Sequence, residues 1–265
     1  MDALRASLNH HAERVWEAVA PGLAGFSVEV LSEIASTNTE LMRRARAGTL
    51  SPTLLVALSQ TAGRGRRGKA WVSAPGDSLT FSLGLPLAPV DWSGLSLAVG
   101  VSLADSLHPE VRLKWPNDMW WRGRKLGGIL VETANPGATQ GSGRCAVVGV
   151  GLNLATPVLP ELPPGEMPPV PPAGLRECLP DLDAGALLLR VLPALVRDLQ
   201  AFEALGFDAF AQRFAQRDAL SGQAVRTSDG LEGTACGVGA DGCLRVLTAE
   251  GMRDVSSAEV SVRPC

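Results

Sequence analysis

Apolar residues at Leu4, Leu8, Val15 and Val19 recur at helical spacing and predict an amphipathic helix over 4–20, stopped by Pro21 and Gly22. Phe26, Val28 and Val30 alternate as in a strand, and Ser36, Thr37 and Asn38 precede a helical segment carrying Leu41 and Met42. A continuous apolar run at 53–58 predicts a buried strand. Trp71 and Val72 are expected to begin another strand, and 78–85 a longer alternating one. A packed helix is predicted over 95–107, a strand at 111–115, a further strand at Trp120 and Trp121, and a hairpin connection at 122–124. Strands follow at 125–132 and 147–154.

These strands and helices show no clean repeated βαβ unit, so the pattern predicts an α/β (α+β) domain around a mixed sheet. Eight prolines in 157–172 favour an extended loop. Helical patterns resume over 183–205, which Pro193 is expected to bend or divide, and over 207–214. From Ser221 onward, short strands at 224–226, 231–235, 244–247 and 260–262 alternate with glycine turns such as Asp229-Gly230 and Asp241-Gly242. A small β-barrel accounts for them, with a catalytic domain over 1–218 and a C-terminal domain over 219–265.

Composition narrows the function classes. A net charge of −3 gives no global attraction to nucleic acid, so basic clusters are local sites. The five cysteines are odd in number and form no close metal-ligand pair, which argues against a disulfide framework or zinc site and for a reducing cytoplasm. No apolar run has the length of a signal peptide or membrane span. Only three of the 24 Lys plus Arg residues are lysines, and Lys69, Lys114 and Lys125 all fall in one central stretch.

Four of the six residues 64–69 are basic, while Gly63, Gly65 and Gly68 remove bulk. Glycines let backbone amides approach a ligand and arginines bond phosphate through two parallel N–H groups, so the loop reads as a phosphate clamp. Gly68-Lys69 is followed by Ala70, not Ser or Thr, so this is no Walker A loop. Nucleic-acid contact and an ordinary solvated loop are the competing readings, and Trp71 either stacks on a base or packs inward. Ser36, Thr37 and Asn38 either cap a helix or face a ligand. Asp118, in the stretch Lys114, Trp115, Pro116, Asn117, Asp118, orients an amine, binds a metal or caps the turn. Lys125, with Gly127 and Gly128 beside it, is placed to stabilise a carboxylate being converted to a mixed phosphoric anhydride.

In this order, the stretches 36–38, 60–68, 114–118, 124–132 and 149–153 resemble the motifs of bacterial biotin protein ligases, in the form lacking an N-terminal DNA-binding domain. The resemblance implies a class II synthetase-like catalytic domain with a small SH3-like β-barrel. It implies that biotin and MgATP form biotinyl-5′-AMP, and that a lysine of the biotin carboxyl carrier protein of acetyl-CoA carboxylase then takes the biotin. By similarity, Ser36, Thr37, Gln60 and Arg64 serve the biotin head group. Arg66 and neighbouring loop residues hold the adenylate, and Asn117 and Asp118 lie beside the reaction centre. Gly128 and Gly149 shape the pocket, and Asn38, Gly63, Arg67, Trp71, Lys114 and Asn153 complete the candidate binding residues. Lys125, Arg66 and Asp118 are the catalytic candidates, no metal ligand is identified, and the proton acceptor in the transfer step is open. Partners beyond the carrier protein are a second copy of the chain, with no DNA and no membrane. All six tryptophans precede Asn153, so the family's tryptophan over adenine has no counterpart. A lipoate or octanoate ligase is the alternative enzyme, and a noncatalytic ligand- or nucleic-acid-binding protein the alternative class.

Overall fold

The computed structural model describes residues 2–135, 143–158, 170–256 and 262–264. Most of the predicted proline-rich loop, 159–169, and Val260 and Ser261 of the predicted last strand lie outside the described residues. In chain order the elements are α1 (Asp2–Val19), β1 (Ser27–Ile34), α2 (Thr37–Arg46), β2 (Thr53–Gln60), β3 (Ser78–Pro86), α3 (Leu95–Leu107), β4 (Arg112–Lys114), β5 (Asp118–Trp121), β6 (Arg124–Ala134) and β7 (Cys145–Asn153). They continue with α4 (Ala184–Leu205), α5 (Asp208–Ala215), β8 (Ala224–Thr227), β9 (Glu232–Val238), β10 (Leu244–Thr248), β11 (Gly251–Val255) and β12 (Val262–Pro264). The chain divides into two compact units, Met1–Ala88 with Arg124–Arg197, and Pro89–Gly123 with Asp198–Cys265. Among the described residues no helix is long and apolar enough to cross a membrane.

In the first unit the strands lie in the order β1-β2-β3-β7-β6. β1 and β2 run parallel, and the other ladders are antiparallel, giving the mixed sheet the pattern predicts. β7 is buried at every position, which its run of Ala, Val, Gly and Leu permits. α2 packs on this sheet through Leu41, Met42 and Ala45, which meet Leu55 and Val147 in one core cluster. Burying side chains such as Leu41 and Met42 stabilises the helix by about 1.5–3 kcal/mol each. One end of α2 is therefore fixed against the sheet, and that end carries Ser36, Thr37 and Asn38.

Trp71 and Val72 form no strand, contrary to the pattern's prediction. Side-chain hydroxyls take the place of a ladder here: Gln60 N–H donates to Ser73 Oγ at 2.8 Å and Ala74 N–H to Ser78 Oγ at 2.9 Å. The Trp71 N–H turns back to Gly63 O at 2.9 Å, and Val72 is exposed. Pro193 likewise does not divide α4, which is helical on both sides of it. An interior proline costs about 3 kcal/mol, which burial of Leu187, Leu188, Val191, Leu192 and Leu195 offsets several times over.

In the second unit β4 and β5 pair antiparallel through the Trp115-Pro116-Asn117 turn, whose Trp115–Pro116 bond is cis. Trp115 is buried and its indole N–H donates to Gly242 O at 3.0 Å, tying this hairpin to the C-terminal strands. Those strands form an antiparallel sheet in the order β11-β10-β9-β8-β12, open between β11 and β12 among the described residues, where the pattern predicts a barrel. β11 was not predicted, because Gly251, Met252, Arg253 and Asp254 are all partly or fully exposed and only Val255 is buried. Its register opposite β10, from Leu244↔Val255 to Thr248↔Gly251, makes the strand without an apolar face of its own.

Candidate active site

Ser36, Thr37 and Asn38 are 3%, 2% and 3% exposed, an unusual burial for three consecutive polar side chains. Burial of this kind demands partners. Ser36 is extended, with φ −162°, and its hydroxyl accepts from Thr39 N–H at 3.4 Å as the helix cap. Thr37 donates to Gln60 Oε1 twice, from its N–H at 2.8 Å and from its hydroxyl at 3.1 Å. The Ser82 hydroxyl, fully buried on β3, lies 2.7 Å from both Thr37 Oγ1 and Asn38 Oδ1. Asn38 Nδ2 donates to Leu130 O at 3.2 Å and Glu132 Oε2 at 3.0 Å. Ser36 caps the helix, and Thr37 and Asn38 are committed to a network that ends in Gln60.

Glycines on β7 make this arrangement possible. A Cβ at Gly149 would lie 2.2 Å from Asn38 Oδ1, and one at Gly151 would lie 2.4 Å from Trp71 Cε2. Two residues apart, both glycines open the same face of β7. Ser82 and Leu130 flank Gly149 in register, and Thr80 and Gly128 flank Gly151. The Trp71 indole therefore lies on the sheet, with Nε1–H 3.4 Å from Thr80 Oγ1, and packs inward instead of projecting to solvent as a free stacking platform. Gly63 is just as constrained, because a Cβ there would meet Trp71 O at 2.3 Å and Gln60 Nε2 at 2.9 Å.

The loop after Gly63 folds onto itself through an Arg64–Ala70 bridge and a Gly65 N–H bond to Lys69 O at 2.7 Å. Arg66, Arg67 and Gly68 make a single tight turn, in which Arg67 has φ 56° and Gly68 φ 73°. Arg64 and Arg67 are exposed and Arg66 half-buried. Arg64 Nη1 reaches Glu132 Oε1 at 3.8 Å. Several guanidinium groups on a compact glycine loop suit an anionic ligand with phosphate or carboxylate oxygens.

Lys125 is half-buried near the start of β6, and its backbone is held on both sides. Its N–H donates to Pro171 O and its carbonyl accepts from Ala173 N–H, each at 2.8 Å. Asn153 Nδ2, at the end of β7, donates to Lys125 O at 3.3 Å and to Ala173 O at 3.1 Å. Next to Lys125, Arg124 pairs with Glu177, whose Oε1 also accepts from Thr156 Oγ1 at 2.6 Å and Gly174 N–H at 3.1 Å. The Arg124 guanidinium beside it pulls the Glu177 carboxyl down to about 2.

Lys114, Asn117 and Asp118 belong to the second unit. The Lys114 ammonium is buried at 5.9 Å from the centroid of the Trp120 ring, and Asn117 and Asp118 are half-buried at the turn into β5. Among the described residues no group of three or more His, Cys, Asp or Glu side chains could cage a metal ion. A magnesium ion that keeps its waters and binds mainly to a nucleotide's phosphates needs no such cage.

Three residues of the first-unit network were not anticipated as site residues: Thr80, Ser82 and Glu132. Thr80 and Ser82 carried a signal, being two polar residues in alternation with Leu79, Phe81 and Leu83 on a strand buried on both faces. Glu132 carried none beyond its place at the end of the 124–132 stretch.

Comparison with known families matches residues 30–153 to the biotin/lipoate A/B protein ligase family and residues 220–263 to the biotin protein ligase C-terminal domain. The bifunctional ligase/repressor BirA of Escherichia coli is 34% identical over 255 residues, covering 91% of this chain and 75% of that protein. A biotin–[acetyl-CoA-carboxylase] ligase of Paracoccus denitrificans is 31% identical, covering 87% of this chain and 98% of that protein. The ligase of the same name from Mycobacterium tuberculosis is 37% identical over 164 residues, and the match spans 58% of that protein. Among solved structures, a biotin protein ligase from Aquifex aeolicus in complex with biotin and ATP superposes with a TM-score of 0.72 at 28% identity, covering 90% of this chain and 99% of that one.

Proposed function

The chain belongs to the biotin protein ligase family, and from that premise we propose that it activates biotin with ATP and transfers it to a lysine of the carrier domain of acetyl-CoA carboxylase. The observation that carries the reading is the buried network joining Thr37, Ser82 and Asn38 to Gln60, with Lys125 and the arginine loop in the same unit. Residues 1–218 form the ligase domain in this reading, and 219–265 the C-terminal domain.

In the first step a biotin carboxylate oxygen attacks the α-phosphorus of ATP. The bond to pyrophosphate breaks, and biotinyl-5′-AMP forms. Lys125 faces the carboxylate and α-phosphate and balances the charge that gathers there, from a backbone held by two hydrogen bonds. In the second step the carrier's ε-amine attacks the acyl carbon, the bond to AMP breaks, and one proton leaves the new amide. Asp118 orients that amine or accepts the proton. Arg64, Arg66 and Arg67 close over the adenylate and exclude water from the anhydride. Ser36, Thr37, Asn38, Gln60 and Gly63 form the head-group side of the site, and Trp71, Gly128, Gly149 and Asn153 shape its walls. Magnesium supplies charge neutralisation at the phosphates when ATP is bound.

Biotin-dependent exchange of pyrophosphate into ATP tests the first step, with lipoate and octanoate as competing acids. Transfer of labelled biotin to a carrier domain, with its acceptor lysine replaced as control, tests the second. Exchange driven by lipoate and not by biotin would overturn the reading.

A further inference from the structure

Glu132 lies on the same side of β6 as Gly128 and Leu130, two residues beyond the Leu130 carbonyl that accepts from Asn38. Its carboxylate has two distinct neighbours. Oε2 accepts from Asn38 Nδ2 at 3.0 Å, and Oε1 lies 3.8 Å from Arg64 Nη1. The Asn38 amide is itself held, because Ser82 donates toward its oxygen at 2.7 Å, and it sits in space that a Cβ at Gly149 would fill, 2.2 Å from that oxygen. A bond from an amide N–H to a carboxylate is charge-assisted and directional, so it sets how the second oxygen is presented. The Glu132 side chain is 22% exposed and that of Arg64 51% exposed. A half-buried carboxylate held through Asn38 thus faces a solvated guanidinium.

We propose that Glu132 is a positioning residue for the arginine-glycine loop: anchored by Asn38 through one oxygen, it holds Arg64 toward the site through the other. The inference rests on the biotin-activating reading given above. Arg64 is long and flexible, and a fixed anion restricts the orientations it samples before the ligand arrives. The loose 3.8 Å separation keeps the pair weak enough for Arg64 to leave when ligand oxygens compete for it. The role is one of ligand capture, so it is expressed in KM for biotin and not in the chemical step.

The test is a double-mutant cycle of Glu132→Gln with Arg64→Met, read by biotin-dependent pyrophosphate exchange at low and high salt. The glutamine keeps an oxygen to accept from Asn38 and removes the charge. E132Q is expected to raise KM for biotin about threefold at low salt with kcat unchanged, and the gap to the parent should close at high salt. In the R64M background E132Q should have no further effect. A parental KM for E132Q at low salt, or effects of the two changes that simply multiply, overturns the proposal. If E132Q melts well below the parent, Glu132→Met, similar in length and uncharged, replaces it in the cycle below its melting temperature: salt-dependent coupling to R64M supports the proposal and its absence overturns it. An inactive parent enzyme would refute the biotin-activating reading instead, so the two failures are distinct.

Discussion

Asn153 Nδ2 sits 3.3 Å from the carbonyl oxygen of Lys125 and joins it to that of Ala173, so the last residue of one strand fixes the backbone of a lysine on its neighbour. The Lys125 ammonium then acts from a held base. Lys125→Ala should lower biotin-dependent pyrophosphate exchange about 10²–10³-fold, the size of loss that follows removal of one preorganised charge-stabilising group. Exchange within tenfold of the parent would remove Lys125 from the catalytic account.

Gly149→Ala places a methyl 2.2 Å from Asn38 Oδ1. Overpacking of this kind costs about 1–3 kcal/mol. The variant should melt earlier and bind biotin more weakly by calorimetry, and adding Asn38→Ala should recover much of the melting temperature. A G149A protein with parental melting and binding would show that Asn38 moves freely, contrary to the network around it.

Arg66→Gly should speed loss of the adenylate from the enzyme and increase labelling of lysines outside the carrier domain. In the proposed reaction its half-buried side chain helps to cover the anhydride, so removing it would open a path to water and to stray amines. Mass spectrometry of biotinylated sites on an added bystander protein measures it, and an unchanged site pattern counts against the covering role.

Glu177 is pulled from 4.5 to about 2, first by the hydrogen bond from Arg124 and next by that from Thr156. A depressed carboxyl contributes stability that is present above its unfolded value and is lost as pH falls from about 4.5 toward 2. Both side chains are about one-third exposed, so the contribution is under about 1 kcal/mol. Glu177→Gln should therefore flatten the decline of melting temperature across that window and leave its slope above pH 5 unaltered. Identical acid slopes in the two proteins would refute the assignment.

Arg217 braces the second unit. Its side chain is 14% exposed, with Nε 2.6 Å from Asp105 and Nη1 donating to the carbonyls of His108, Pro109 and Val111. Arg217→Met should cost about 1–2 kcal/mol in denaturant unfolding, since it takes the guanidinium from the Pro109 and Val111 carbonyls, whereas Asp105 keeps Arg213 and the His108 carbonyl keeps the Val111 N–H. A loss below about 0.5 kcal/mol would mean that water replaces the guanidinium at no penalty.

The elements of the first unit were legible wherever burial and period agree. α2 and β2 carry uninterrupted apolar faces, and α3 falls on the predicted residues without shift. What misled the reading was local chemistry that competes with a ladder. Trp71 and Val72 have strand-forming side chains, yet Ser73 and Ser78 hydroxyls satisfy the surrounding backbone. β11 escaped for the opposite reason, being a strand made by pairing alone. Motif order singled out Thr37, Asn38 and Gln60, which the structure joins in one network, because each lies in a run of distinctive residues. Ser82 and Glu132 sit in strands whose neighbours are ordinary, and only the three-dimensional register brings them to Asn38.

Arg67 keeps φ at 56° and ψ at 34° between Arg66 and Gly68. A side chain in that left-handed region costs roughly 1–2 kcal/mol, a penalty glycine would not incur. A movement that returned Arg67 to right-handed or extended geometry would release that energy, so the turn itself would favour such a rearrangement. An arginine at this position places charge and backbone tension on the same residue.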